Sequence, residues 1–583
     1  MGAGTDRWAW HNPRSMTTNI HVGNDVTTQL ARPEPALSPR RLTGWVVAAL
    51  AAAAAFGVSL WSALNNDVTY ALGGMETAGK TGVSVWDVFV ARPVAYRLLL
   101  ALLDAPVTEA PLRVAHAVIR FETALLVVGV AVVLFFGMKR YLDVRAAAAV
   151  SAAAGLALII APQWHFLEPD WVAAMFAVLA VGAACAPRRV WLGALLGGFA
   201  AFLAIAVKLA TVPITLLALV LVGVLSLRRA AWAGVAAAGS TVIWYVATKH
   251  FLPWEWTWLD DQANLVADSP IHHGLRWEDF HLLLVGLGDV ALLSPVVAVA
   301  PAAAAALIRR LPPGRPRWIG AAVAVVAGGL SVASAYGQGE FYMYHYAIVP
   351  VLAAAVWGVA FALCPGARTP LFATTVLFAV ASFVLLAQSP EWRLAHVTPV
   401  SLSYLAVAVL AAVATWMLER RATPLVPPQA GAVALTAALV LATLPNAPLA
   451  FSGYNYARFN ESPSAPGYAA LRERIGPDTP VFYLAFGSIN YLLRNPSTCR
   501  YPSPQWVQRG AHFKQVRTFP SYVDNLRCLT EDDRARYMVL QPGWFPWKRA
   551  SPEVRTLISS RFDCSPESRV PAPDGLVVCP ARS

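Results

Sequence analysis

From residue 42 to about residue 451, long apolar stretches alternate with short polar breaks, and about thirteen of them have the length an α-helix needs to cross a bilayer. They fall at about 43–64, 117–138, 144–162, 170–187, 190–206, 209–227, 231–250, 286–308, 318–336, 346–364, 370–387, 399–418 and 430–451. Basic clusters follow every second stretch: Arg40-Arg41, Lys139-Arg140, Arg188-Arg189, Arg228-Arg229, Arg309-Arg310, Arg368 and Arg420-Arg421. Positive charge stays on the cytoplasmic side of a membrane protein. The intervening loops, which hold the acidic, aromatic and histidine-bearing segments, are therefore expected outside. An odd number of spans puts the N-terminus in the cytoplasm and the C-terminus outside. The pattern predicts an all-α polytopic bundle with its chemistry on the outer face.

Two outer loops are too long to be simple connectors. Within 65–116, "VWDVFVARPVAYRLLLALLDAPV" spaces its apolar residues as a helix lying in the membrane interface would. The loop 251–285 carries Trp254, Trp256, Trp258 and Trp277, a residue type that favours the headgroup level. Residues 1–41 are polar and proline-bearing and predict a disordered cytoplasmic tail. After residue 452 the chain turns polar and Pro-rich. Short apolar runs at 480–486, 537–541 and 575–579 read as strands, and "PGYAALRERI" reads as a helix. The segment 452–583 is expected to be a small α/β domain outside the membrane. Four of the six cysteines lie there, Cys499, Cys528, Cys564 and Cys579. An even number on an oxidising face suggests two disulfides, and Cys499–Cys528 with Cys564–Cys579 closes the shortest loops.

Composition changes this picture little. Hydrophobic residues make up 57% and charged residues 13%, and the mean hydropathy is +0.52, far from a soluble globular chain. The formal charge of +12 would suggest nucleic acid in a soluble protein. Here much of the excess lies in the cytoplasmic loops, where orientation accounts for it, so no nucleic-acid partner is expected.

Several outer residues could carry chemistry. Asp67 follows the first span closely, where a partly desolvated carboxylate could take a proton from a hydroxyl. Asp87 has the same potential. Arg92 and Arg97, beside Tyr96, could clamp a phosphate at headgroup level, or simply reach anionic lipid. Glu168 and Asp170, near His165, sit at the mouth of the fourth span. Lys208 interrupts "FLAIAVKLATVPI", and a cation at that depth needs a partner such as phosphate. His345 and Tyr346 close an aromatic run with Glu340 before the tenth span. Asp260, Asp261, His272 and His273 allow a divalent cation, although ordinary solvated residues are the default there.

In order and sidedness these residues resemble the GT-C superfamily of integral-membrane glycosyltransferases, particularly its protein-mannosyltransferase-like bacterial branch. The first outer loop reads Asp67, Tyr70, Gly82, Asp87 and Arg92-Pro93-Val94-Ala95-Tyr96, with Val94 where the family pattern has a second proline. Glu168-Pro169-Asp170 opens the fourth span, and "LGALLGGFAAFLAIAVK" leads to Lys208. His345-Tyr346 precedes Pro350, and "VFYLAFGSINYLLRNPSTCRYPSP" is similar to an element of the family's external C-terminal domain. The resemblance implies an inverting transferase that moves one sugar from a polyprenyl-phosphate donor to an acceptor hydroxyl on a glycan, lipid or protein. Asp67 would be the general base, with Asp87 as substitute. Arg92, Tyr96, Lys208, His345 and Tyr346 would bind substrate or its phosphate, and Glu168 and Asp170 would orient hydroxyls. No cofactor is required. The expected setting is a bacterial plasma membrane and its envelope glycans. A lipid-linked glycan ligase or polymerase is the alternative, followed by a transporter. Spans nearly free of charge argue against the transporter.

Overall fold

The computed structural model describes residues 39–108, 110–268, 277, 280–420, 425–443, 466–573 and 575–582. The tail expected over 1–41 lies, up to residue 38, outside these. The chain divides into Met1–Thr43 and Gly44–Ser583, and the core, the charged clusters and the sheet described below all belong to the second unit.

The first half runs α1 (Pro39–Leu60), α2 (Asn66–Gly79), α3 (Val94–Asp104), α4 (Leu112–Met138), α5 (Val144–Ile159), α6 (Pro169–Cys185), α7 (Val190–Ala206), α8 (Val212–Leu225) and α9 (Leu227–Phe251). Then follow α10 (Pro253–Asp268), α11 (Phe280–Leu293), α12 (Val296–Arg310), α13 (Arg315–Gln338), α14 (Ile348–Leu363), α15 (Arg368–Leu386), α16 (Pro390–Ala395), α17 (Val397–Leu418) and α18 (Pro428–Val440). Seven helical segments among the described residues are long and apolar enough to cross a membrane, which makes this a multi-pass membrane protein. Their outward faces carry large exposed apolar residues such as Phe121, Leu125, Ile243 and Leu410, which water would not tolerate as a continuous belt.

Two features depart from the sequence pattern. The stretch 286–308 is not one straight helix: α11 and α12 meet at a 93° bend. Pro295 lies at the break, where it lacks an N–H and disfavours helical geometry at Ser294. Five other predicted spans form shorter apolar helices, α5, α6, α7, α18 and Leu209–Leu225. Small residues let some of these pack with backbones close together. A Cβ on Gly197 would stand 2.5 Å from the Ala184 Cβ on α6, and one on Gly198 would stand 2.5 Å from the Ala236 Cβ on α9.

The C-terminal region holds α19 (Pro466–Ile475), β1 (Val481–Leu484), α20 (Gly487–Leu493), α21 (Gln505–His512), α22 (Pro520–Glu531), β2 (Tyr537–Leu540), α23 (Pro552–Arg561) and β3 (Val577–Pro580). β1 and β2 pair in parallel, with Val481 opposite Tyr537, and β3 runs antiparallel to β2, with Cys579 opposite Met538. Side chains alternate across the sheet. Val481, Tyr483, Val539 and Val578 join Leu471, Ile489 and Leu493 in one core. Phe482, Leu484, Met538 and Cys579 join Trp506, Val507 and Phe562 in another. Cys499 is bonded to Cys528 and Cys564 to Cys579.

The first long loop corrects the expectation of one interfacial helix. Within 85–107 only Val94–Asp104 is helical, and a separate helix, Asn66–Gly79, opens the loop. The preceding stretch is drawn out because the Phe89 N–H donates to the Arg500 carbonyl at 2.8 Å. The Phe89 ring is buried among Trp254, Trp258, Tyr501 and Trp506. α2 also packs against the C-terminal region. A Cβ on Gly73 would fall 2.3 Å from the Tyr491 backbone nitrogen, so only glycine permits that approach.

Candidate active site

Asp67 owes its position to the joint between α1 and α2. Asn65 caps α2, its side-chain oxygen accepting from the Asp67 N–H at 3.1 Å, while its amide donates to the Trp164 carbonyl at 3.2 Å. From α4, Arg120 donates to the Ser62 and Ala63 carbonyls, both at 2.8 Å, and His116 Nδ1 accepts from the Leu64 N–H at 3.2 Å. Backbone groups of the link between α1 and α2 are thereby satisfied. Asp67 leaves this joint one-third exposed, and the Arg92 guanidinium meets its carboxylate at 3.0 Å.

Arg92 also lies 3.8 Å from Glu168, which is 1% exposed. Positive φ angles occur at Ala91 (51°) and Leu167 (62°), immediately before these two residues. Non-glycine residues adopt that conformation at a cost, and such strain concentrates where a neighbouring side chain must be aimed. Burial raises Glu168 to about 8, reinforced by the negative charge of Asp67 and opposed by Arg92 and Lys208. Its Oε1 is buried without a hydrogen-bond partner. At neutral pH the Glu168 carboxyl is mostly protonated. Burial holds the nearby His165 down to about 4, so it is a neutral imidazole.

Two residues further on, Asp170 in the first turn of α6 anchors a second cluster. Lys208 Nζ reaches its Oδ2 at 2.7 Å, and His345 Nδ1 stands 3.2 Å from the same oxygen and 3.3 Å from Lys208 Nζ. Ser334 and Gln338, one turn apart on α13, donate to Asp170 Oδ1 at 3.2 and 3.3 Å. The chain breaks its helix to put Lys208 there. α7 ends at Ala206, Lys208 is extended at φ −166° and ψ 120°, and a 3₁₀ turn resumes at Leu209. Thr211 covers the freed carbonyls of Ala204 and Lys208, and Pro213 suits the start of α8. Lys208 remains 23% exposed beside a buried carboxylate.

Other candidates take different places. Asp87 is exposed, and its carboxylate accepts from Ser84 at 3.2 Å. Arg97 pairs with the buried Glu255 at 3.0 Å and donates to the carbonyls of Val85, Trp86 and Arg92. It thus fixes the loop that aims Arg92. The hydroxyls of Tyr96 and Tyr346 donate to the Leu167 and Leu283 carbonyls at 2.6 and 3.0 Å. Both tyrosines therefore brace backbone. In the second long loop, Asp261 accepts from the Ser521 N–H at 2.8 Å in the first turn of α22. His272 and His273 lie outside the described residues, among which no group of three His, Cys, Asp or Glu could hold a metal.

Sequence reasoning missed five contributors. Ser334 and Gln338 could have been noticed as a polar i,i+4 pair near the end of an apolar span. Glu255, and the pair Gln505 and Arg509 on α21, carry no local signal. The Tyr70 hydroxyl donates to Gln505 Oε1 at 3.3 Å, which brings the C-terminal region to within one turn of Asp67.

These clusters place cations and a partly open carboxylate side by side, an arrangement suited to holding a phosphate while a hydroxyl loses its proton. No protein-family model and no curated protein sequence matches the chain. Among solved structures it is similar to ArnT from Cupriavidus metallidurans bound to undecaprenyl phosphate, with TM-score 0.51 and 19% identity over 92% of this chain and 98% of that one. The apo form of ArnT aligns at TM-score 0.49 and 18% identity, covering 92% and 98%. An oligosaccharyltransferase from Archaeoglobus fulgidus aligns at TM-score 0.36 and 13% identity, covering 90% and 73%. The likeness to the undecaprenyl-phosphate-bound ArnT extends through the membrane bundle and the C-terminal region, and the chain has the GT-C fold.

Proposed function

We propose that this protein is an inverting glycosyltransferase that moves a single sugar from a polyprenyl-phosphate donor to an acceptor hydroxyl outside the cytoplasm. The observation that carries the reading is the adjacency of Asp67–Arg92–Glu168 to Asp170–Lys208–His345 through the single turn Glu168-Pro169-Asp170. The fold shared with a structure bound to undecaprenyl phosphate supports a polyprenyl phosphate as the carrier. The basic loop pattern supports a site facing away from the cytoplasm.

In the reaction the acceptor oxygen attacks the anomeric carbon as the bond from that carbon to the phosphate oxygen breaks. The phosphate departs with the bonding electrons, and Asp67 takes the hydroxyl proton. Arg92, Lys208 and His345 face the charge that develops on the leaving group. Arg92 rests on Asp67 at 3.0 Å before substrate arrives. A phosphate that draws the guanidinium toward itself leaves Asp67 free to act as base. Glu168, Asp170, Tyr96 and Tyr346 serve by orienting substrate and bracing these groups. No cofactor is needed for this chemistry, and a divalent cation near the phosphate is compatible with it. Cys499–Cys528 and Cys564–Cys579 each tie two segments of the C-terminal region to one another.

The test is transfer from a panel of radiolabelled polyprenyl-phosphate sugars in proteoliposomes, with Asp67→Asn alongside wild type. The expected result is turnover of one donor by wild type and its collapse in Asp67→Asn. If a lipid-linked oligosaccharide is consumed while no monosaccharide donor is, transfer is of whole glycans and the single-sugar reading is wrong.

A further inference from the structure

Three of the cations around the site are matched with acids, and Arg120 is spent on backbone carbonyls. Arg92 pairs with Asp67, Arg97 with Glu255 and Lys208 with Asp170. Arg509 on α21 forms no ion pair with any described carboxylate. Its guanidinium donates to Gln262 Oε1 on α10 and lies 5.4 Å from the Trp506 ring centroid. An amide and an indole face orient a guanidinium without neutralising it. One turn earlier on the same helix face, Gln505 accepts from Tyr70, and Tyr70 stands one turn from Asp67 on α2. Arg509 is thus carried to the site by a contact between the C-terminal region and the helix of Asp67.

Electrostatics agree with that placement. Burial brings Arg509 down to about 10, with Tyr70 and Glu340 opposing the shift and Arg92 adding to it. Glu340 is the one carboxylate felt there, beyond ion-pair distance. A partly buried guanidinium with no carboxylate partner keeps its charge uncompensated, and an oxyanion that arrives there compensates it. Its planar fork matches the oxygens of a phosphate.

We propose that Arg509 is a phosphate-binding residue that the C-terminal region contributes to the site, so that the site is incomplete without that region. This rests on the reading of the site given above. The phosphate could belong to the polyprenyl carrier or to the acceptor, and the two sources are separable.

The experiment uses the full chain in nanodiscs, titrated with decaprenyl phosphate and, separately, with glycerol phosphate. Wild type, Arg509→Gln, Arg509→Lys and Arg92→Gln are compared. Arg509→Gln is expected to weaken binding roughly 10- to 100-fold, the loss typical of a charge-assisted pair. Arg509→Lys keeps the charge but not the fork, and should fall between the two. It also serves if the glutamine variant fails to fold, since it must then still lose at least about threefold. Weakened decaprenyl phosphate assigns Arg509 to the carrier, and weakened glycerol phosphate alone assigns it to the acceptor. If both ligands bind Arg509→Gln as they bind wild type while Arg92→Gln loses decaprenyl phosphate, the inference about Arg509 is overturned and the proposed function stands. If wild type binds neither ligand, both are overturned.

Discussion

Glu168 gives the sharpest test of how the site manages charge. Its carboxyl is raised to about 8, first by burial and then by Asp67. The neutral form therefore prevails at pH 7, at about 90%, and falls to about 10% at pH 9. Once ionised, Glu168 would compete for the guanidinium 3.8 Å away and repel an incoming phosphate. If only the neutral form binds, affinity for decaprenyl phosphate should drop about tenfold between pH 7 and 9, or about 1.4 kcal/mol. The ligand adds little slope of its own, because a phosphate monoester with a second pKa near 6 is already about 90% dianionic at pH 7. Arg509, at about 10, loses only about a tenth of its charge at pH 9. Glu168→Gln imitates the neutral acid, so its affinity should stay within about twofold over the range. The assay is equilibrium binding in nanodiscs at half-unit pH steps. A wild type with no alkaline loss, or a glutamine variant that keeps the full loss, would refute the argument. Stability carries the same sign. A carboxyl raised on folding contributes stability that is complete below the unfolded value near 4.5 and is lost as pH rises through about 8. Melting of the wild type should therefore fall across that window more steeply than melting of Glu168→Gln.

Other substitutions separate roles within the site. Asp67→Asn should lower transfer by about 10²- to 10⁴-fold while decaprenyl phosphate still binds. Asp87→Asn, at an exposed residue held by Ser84, should stay within about twofold of wild type in the same assay, and a larger loss would move the base to Asp87. Lys208→Gln leaves the fully buried Asp170 without its cation, which in a buried pair costs about 3 kcal/mol or more. A fall in melting temperature should thus accompany the lost transfer, and activity lost with melting unchanged would contradict the structural half of this role. Reduction should lower the melting of the C-terminal region, because the bridges span 29 and 15 residues and closures of that size contribute about 3 kcal/mol each. Far-ultraviolet melts with and without reductant would show no difference if the bridges were idle.

Much of the fold was legible because lipid imposes a simple rule on the chain. A backbone in hydrocarbon must satisfy its own hydrogen bonds, so apolar length reads directly as helix. The strands of the C-terminal region were legible for a related reason: "VFYL", "YMVL" and "VVCP" pair into one sheet with both faces covered. Where the sequence misled, tertiary contacts had overridden a local pattern. "VWDVFVA" has helical spacing, yet Phe89 gains more from an aromatic pocket built by Trp254, Trp258, Tyr501 and Trp506 than from another turn of helix. Pro295 was visible in the sequence, but a proline can be accommodated by a kink, and the 93° bend depends on what packs around it.

The site divides along the same line. Asp67, Arg92, Glu168, Asp170, Lys208 and His345 could be nominated because charge close to an apolar run is expensive and therefore conspicuous. Their pairing could not be nominated, since Asp170 and His345 meet across 175 residues with no local constraint between them. Arg509 lies in a polar segment, where a charged residue costs little in sequence terms and attracts no notice. Only the fold makes it unusual, by desolvating it beside Tyr70 and Arg92 without a counterion. The same physics that marks Lys208 in the sequence marks Arg509 in the structure. A cation removed from water must find an anion, and Lys208 has Asp170, whereas the arginine fork is open to a substrate.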